Sequence, residues 1–132
     1  MTPNLTAVDH IHVYVKNRPA AEAWYHRVLG FTRVKQFEFW ADSSGPLMLA
    51  GASSPFKIAL FERPGEKCHS TIAFATGAQD FLAWKTHLTA TLDHLPELDD
   101  HELSWSLYFH DPEGNPYEIT SYEYDELAEH LR

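Results

Sequence analysis

Nine histidines stand in 132 residues, and two of them, His10 and His12, lie two apart in the alternating run Val8-Asp-His-Ile-His-Val-Tyr-Val15. Neutral imidazoles are ready metal ligands and carry protons near neutral pH. On a strand, His10 and His12 share one face at a spacing of ~7 Å. The other group of chemical interest is Glu118, the acid between Tyr117 and Ile119. A carboxylate at an alternating strand position is either on the wet face or in a pocket, where it is costly unless a cation or hydrogen bond meets it. Were His10 and Glu118 brought together, each would favour the other's charged form, and the pair would be an acid/base couple. His69 precedes an apolar run, and His110 sits at a strand end beside a turn. His87, His94, His101 and His130 lie in polar surroundings and read as solvated.

The elements that must position these groups come in two similar sets. Val8 to Val15 reads as a strand, punctuated by Asn17 and Pro19. Ala20 to Leu29 has helical spacing, with Ala21, Trp24, Val28 and Leu29 on one stripe and Gly30 as C-cap. Phe31 to Trp40 reads as a long strand that places Phe37 and Phe39 on one face. Leu47 to Leu49 follows as a short strand after Ser43-Ser44-Gly45-Pro46, and Lys57 to Phe61 as another. The order then begins again. Thr71 to Thr76 is a strand and Gln79 to Leu92 a helix, in which Ala83-Trp84 answers Ala23-Trp24. Strands follow near Leu95 to Leu98, Leu103 to Phe109 and Tyr117 to Ser121, and Tyr124 to Leu131 reads as a short terminal helix. Between the last two strands, Asp111-Pro112-Glu113-Gly114-Asn115 is turn chemistry, not catalysis.

Each half is thus β-α-β-β-β, at a period of about 60 residues that is too long, and in too few copies, for a solenoid. A single α+β domain is expected over residues 1–132, with module one at about 6–64, module two at about 68–122 and a C-terminal helix at about 123–131. The formal net charge of −9 argues against a general nucleic-acid binder and is compatible with a cationic ligand. A lone Cys68 forms no internal disulfide and fits a reducing compartment. No apolar run approaches the ~18 residues of a membrane span, and Met1 to Leu5 do not begin a signal peptide, so a cytoplasmic location and no membrane partner are expected. No phosphate-cradling glycine loop, Gly-x-Ser-x-Gly elbow or His-Glu-x-x-His helix is present.

Val8 to Val15, Ala23-Trp-Tyr-His-Arg-Val-Leu-Gly-Phe31, Thr71-Ile-Ala-Phe74 and Phe109-His-Asp-Pro-Glu-Gly-Asn-Pro-Tyr-Glu-Ile119 together span nearly the whole chain. In this order and spacing they resemble the vicinal oxygen chelate superfamily of glyoxalase I, extradiol dioxygenases, fosfomycin-resistance enzymes and bleomycin-resistance proteins. The resemblance implies two βαβββ modules forming a cupped mixed sheet around a metal, with ligands from the first and fourth strands of each module. His10 matches the first-strand ligand position and Glu118 the last-strand one; by the internal repeat the other two fall on Ala59 and Thr71. Alanine binds no metal and threonine seldom does, which leaves His12 or His69 as candidates for a third ligand.

Two functions from different classes follow from that resemblance. In one, a divalent ion (Fe, Mn, Ni or Zn) held by His10 and Glu118 acts as a Lewis acid on neighbouring oxygens of a small substrate, as in lyase, isomerase, dioxygenase or thiol-transferase chemistry. In the other, the chain is a metal-free antibiotic-binding protein of the bleomycin-resistance type, with no cofactor and a cationic drug in an aromatic-lined groove. In either case His12, Phe37, Phe39, Thr71, Trp105 and Tyr108 are the expected pocket residues, and a homodimer is the expected assembly.

Overall fold

Each half of the repeat builds its own four-stranded mixed sheet, with the last strand inserted beside the first. The computed structural model describes residues 1–42, 44–53 and 55–132, and in it the chain separates into two units, Met1–Lys67 and Cys68–Arg132. The first unit holds β1 (His10–Val15), β2 (Thr32–Arg33), β3 (Leu47–Ala50) and β4 (Lys57–Glu62) in the order β1-β4-β3-β2. The second repeats this with β5 (Ile72–Ala75), β6 (Glu97–Asp100), β7 (Trp105–His110) and β8 (Pro116–Ser121) in the order β5-β8-β7-β6. β1–β4 and β5–β8 are parallel, and every other pair is antiparallel. A parallel neighbour needs a long crossover, which here carries the helix and the two intervening strands. Among the described residues, no helix is long and apolar enough to cross a membrane.

In the first unit, Asn17 caps α1 (Arg18–Trp24) by accepting the Ala20 N–H at 3.0 Å, and the Arg18 N–H donates to Glu62 at the end of β4 (2.8 Å). The helix widens into a π turn over Tyr25–Leu29 and stops at Gly30, whose φ of 72° is the left-handed C-cap conformation. Ala21, Trp24, Val28 and Leu29 are buried as expected, together with Tyr25. Val13 and Val15 on β1 and Ile58 and Leu60 on β4 are buried too, and α1 packs on β4. The alternate residues of both strands are therefore left to the opposite face.

Glu22 on α1 accepts from Arg33 on β2 at 2.5 and 2.9 Å, and the guanidinium holds the Glu22 carboxyl below its usual value. A depressed acid contributes stability that is present above the ordinary carboxylate pKa and lost as pH falls through the lowered value. Because Arg33 is half exposed, Arg33→Gln is expected to cost only about 0.5 kcal/mol at pH 7, and nothing at an acid pH where Glu22 is already protonated. Urea titration at the two pH values reads the difference.

The stretch expected as one long strand does not continue as one. Only Thr32 and Arg33 pair with β3, and Lys35–Trp40 is a 3₁₀ helix. After Val34, whose N–H still donates to Met48 O (3.0 Å), the backbone turns on itself through i→i+3 bonds such as Phe37 N–H to Val34 O and Ala41 N–H to Glu38 O, both 3.0 Å. The period-2 alternation of Phe37 and Phe39 is misleading, and the effective pair is Phe37 with Trp40, three residues apart. Of the turn expected at Ser43-Ser44-Gly45-Pro46, Ser43 lies outside the described residues.

In the second unit, α2 (Ala78–Thr91) packs on β8 and on α3 (Tyr124–Leu131), burying Phe81, Leu88 and Leu127. The Ala78 N–H donates to the Glu123 carboxylate, and Gln79 Nε2 donates to Glu126 (2.9 Å), so the start of α3 caps the start of α2. The sixth strand begins two residues later than expected. The seventh begins at Trp105, because residues 101–104 form a loop closed by His101 N–H to Ser104 O (2.9 Å).

Candidate functional site

On the face of the first unit turned away from α1, the register sets His10 opposite Lys57, His12 opposite Ala59 and Tyr14 opposite Phe61, with Met48 beyond Ala59 on β3. The His10 and His12 rings stack with centroids 5.2 Å apart, and His12 also leans on Phe61 at 4.8 Å. Asp9 ties this row together. Its Oδ2 is 2.8 Å from His10 Nδ1, and its Oδ1 accepts from Lys57 Nζ at 3.1 Å. The bond from His10, and then that from Lys57, holds the Asp9 carboxyl below its usual value.

Above the row lies a cavity of about 140 Å³, floored by Met48, Lys57 and Ala59, bounded by His10 and His12, and walled by Phe37 and Trp40. The two aromatic rings stack at 4.4 Å and 15°. That wall is positioned by the loop after the 3₁₀ helix, which Arg18 pins through Nη1 to Gly45 O (2.6 Å) and Leu60 O (3.3 Å) and Nη2 to Asp42 O (3.0 Å). The cavity matches in size the ~150 Å³ engineered cavity known to take up a single benzene ring.

In the second unit, Glu118 on β8 stands between Ala73 on β5 and Tyr108 on β7. The hydroxyl of the fully buried Ser106 donates to Glu118 Oε2 at 2.7 Å, and the Thr120 hydroxyl lies 3.2 Å from that of Ser106. Burial, followed by the charge of Glu118, raises the Tyr108 phenol above its usual pKa. Glu118 is thus a hydrogen-bonded acid on the face turned away from the helices, alongside Tyr108.

Trp105 does not share that face. Its indole is 4% exposed, stacks on Tyr124 of α3 at 5.5 Å and donates Nε1–H to the Tyr124 carbonyl at 3.3 Å. Odd and even positions of β7 point to opposite sides, so a strand that gives Tyr108 to one face gives Trp105 to the helices. Phe39, expected in the pocket, is 77% exposed and meets the edge of Trp40 (5.8 Å) and not the ring of Phe37 as expected, because residues two apart on a 3₁₀ helix diverge. Thr71 and His69 are exposed and precede β5, which begins at Ile72; the strand start that would have turned His69 inward is not made. His94, read as solvated, and His110, read as a strand-end residue, stack face to face at 3.9 Å.

Register also bears on the internal repeat. Ala59 pairs with the residue two after His10, and Glu118 pairs with the residue two after Thr71, so Ala59 occupies in the first sheet the place of Glu118 in the second. Taken unit by unit, the positions implied by the resemblance offer a donor at His10 and none at Ala59 in the first sheet. In the second they offer Glu118 and, at Thr71, only an exposed hydroxyl off the strand end. Among the described residues, no three His, Cys, Asp or Glu side chains converge as a metal centre in either unit. The ammonium of Lys57 beside the Asp9–His10 pair adds a positive charge where a cation would sit. This donor set does not fit a metal of the usual kind, which wants at least three protein ligands.

Asp9 and Lys57 were not legible as site residues. Asp9 stood only as a member of the Val8 to Val15 run and Lys57 only as the first residue of a strand; the pairing of β1 with β4 makes them neighbours.

The model of the Glyoxalase/Bleomycin resistance protein/Dioxygenase superfamily matches residues 7–119. No curated protein sequence matches the chain. Among solved structures, a member of the same superfamily from Sphaerobacter thermophilus DSM 20745 aligns with a TM-score of 0.69 at 20% identity, covering 89% of this chain and 98% of that one. The antibiotic binding protein TnmS3 from Streptomyces sp. CB03234 aligns at 0.71 and 17% identity, covering 92% and 100%. The fosfomycin resistance protein FosX from Listeria monocytogenes, complexed with Mn(II) and sulfate, aligns at 0.66 and 16%, covering 98% and 100%. At such identities these likenesses establish the fold alone.

Proposed function

Since the chain belongs to the Glyoxalase/Bleomycin resistance protein/Dioxygenase superfamily, we propose that it is a metal-free small-molecule binding protein whose ligand enters the cavity between the Phe37–Trp40 stack and the His10–His12 row. The observation that carries this reading is an aromatic-walled, ring-sized cavity floored by Ala59, where a metal-binding relative would need a donor. Stacking on Trp40 and Phe37 supplies apolar contact area, and His10 and Lys57 supply orientation. No covalent step is required of any residue. The reading parallels the Streptomyces neighbour, described as an antibiotic binding protein.

One observation favours a second reading, divalent-metal chemistry with His10 and Glu118 as ligands and His12 as the candidate third. The bond between Asp9 and His10 Nδ1 is the kind of carboxylate contact that orients a metal-bound histidine through its other nitrogen.

Two measurements separate the readings. Elemental analysis after purification without added metal is expected to give well under one ion per chain. Thermal shift is expected to respond to small aromatic compounds and not to Mn, Fe, Ni or Zn; a ligand at a hundred times its dissociation constant adds ~2.7 kcal/mol. That shift is expected to vanish in Trp40→Ala combined with Phe37→Ala. Stoichiometric metal that disappears in both His10→Ala and Glu118→Ala would replace the proposal with the second reading.

A further inference from the structure

We propose that the cavity selects a single-ring ligand bearing a carboxylate, and that Asp9 is the internal carboxylate such a ligand displaces from Lys57 and His10. This rests on the small-molecule reading above and names its ligand class. The geometry of carboxylate recognition is already present: one carboxylate has each oxygen taken by a different donor, Oδ2 by His10 Nδ1 at 2.8 Å and Oδ1 by Lys57 Nζ at 3.1 Å. Both donors border the cavity, and so does the Phe37–Trp40 stack, which presents an aromatic wall to a ring.

The exposures of the two partners decide which of them can be exchanged. The Lys57 side chain is 19% exposed and lies on the floor strand, opposite His10. The Asp9 side chain is 70% exposed, on the residue before β1 begins. An exposed ion pair is held weakly and screened by salt, so Asp9 gives way at little cost. A part-buried ammonium left without a partner is costly, so Lys57 favours whichever anion replaces Asp9. The volume of about 140 Å³ is enough for one aromatic ring. The chain's net charge of −9 slows the approach of an anion but does not alter what Lys57 and His10 recognise once it arrives.

Isothermal titration with benzoate, its near-isosteric neutral amide benzamide, and benzylamine, a cationic single-ring ligand of similar size, tests the class. Benzoate is expected to bind at least about tenfold more tightly than either of the others. Asp9→Asn, which removes the competing carboxylate, is expected to tighten benzoate about tenfold and leave benzamide unchanged. Lys57→Met, which keeps the aliphatic stem, is expected to erase the preference for benzoate, and Lys57→Arg to restore part of it. Equal binding of benzoate and benzamide, preference for benzylamine, or an Asp9→Asn variant that binds benzoate no better would overturn the inference while leaving the small-molecule reading in place. Failure of all three probes to bind would overturn the inference and count against the cavity as a ligand site as well.

Discussion

Gly45→Ala is expected to damage the ligand cavity more than the loss of any one side chain that lines it. A Cβ at residue 45 would stand 1.9 Å from the Trp40 carbonyl oxygen and 3.0 Å from its carbonyl carbon. Those atoms are backbone, so the clash is relieved only by moving the chain that carries Trp40. The loop resists such movement. Arg18 donates to the Gly45 and Asp42 carbonyls, and Asp42 Oδ1 accepts from the Gly45 N–H (2.7 Å) and the Ser44 N–H (2.9 Å). Those backbone bonds also hold the Asp42 carboxyl below its usual value.

Overpacking of this kind costs about 1–3 kcal/mol. We expect a fall of roughly 3–10 °C in Tm and a loss of at least about tenfold in affinity for any ring that stacks on Trp40. Calorimetry and titration on the purified variant read both. Unchanged affinity would mean that the Phe37–Trp40 wall is not set by this loop, and the account of how the cavity is positioned would have to be abandoned.

The second large effect lies in the other unit. Asp111 is 1% exposed and answers three donors: its Oδ1 accepts the N–H groups of Glu113 and Asn115, both at 2.9 Å, and its Oδ2 accepts Asn115 Nδ2 at 2.8 Å. The turn also needs Gly114, whose φ of 87° is strained for other residues. Asp111→Ala strands those donors in and around a buried turn, at about 1–3 kcal/mol for each that finds no substitute.

We therefore expect a loss of about 3–5 kcal/mol and a fall in Tm of about 10–20 °C, with amide exchange rising first along β7 and β8. The same turn sets the register that places Glu118 beside Tyr108 and Ser106, and a slip of one residue would send Glu118 to the helix face. Asp111→Asn keeps one acceptor oxygen and should lose markedly less. A drop under about 1 kcal/mol in Asp111→Ala would show that the hairpin is held elsewhere.

Much of this was legible in residue order. Alternation in Val8 to Val15 and in Tyr117 to Ser121 is a local property of strands with one buried face, and the α1 stripe of Ala21, Trp24, Val28 and Leu29 is a local property of a helix. Gly30 and the Asp111–Asn115 turn announce themselves because few residue types tolerate their backbone. The misreadings share one cause. Phe31 to Trp40 alternates like a strand, but a strand exists only where another strand pairs with it, and β3 is four residues long. Phe39 and Trp105 were placed by that same local logic, without knowledge of which face the helices would cover.

Residue order alone was enough for the two-fold βαβββ plan and for Gly30 and the Asp111–Asn115 turn, because these rest on short-range backbone preference and apolar periodicity. The family followed from a resemblance carried by motifs such as Phe109 to Ile119. Folding alone made Asp9, His10 and Lys57 one hydrogen-bonded row and stacked Phe37 on Trp40, while the register agreed with the repeat in setting Ala59 in the first sheet where Glu118 stands in the second. The first two depend on the pairing of β1 with β4 and on an unpaired segment coiling into a 3₁₀ turn. Such pairing joins residues about fifty positions apart, and no local preference of either segment encodes its partner.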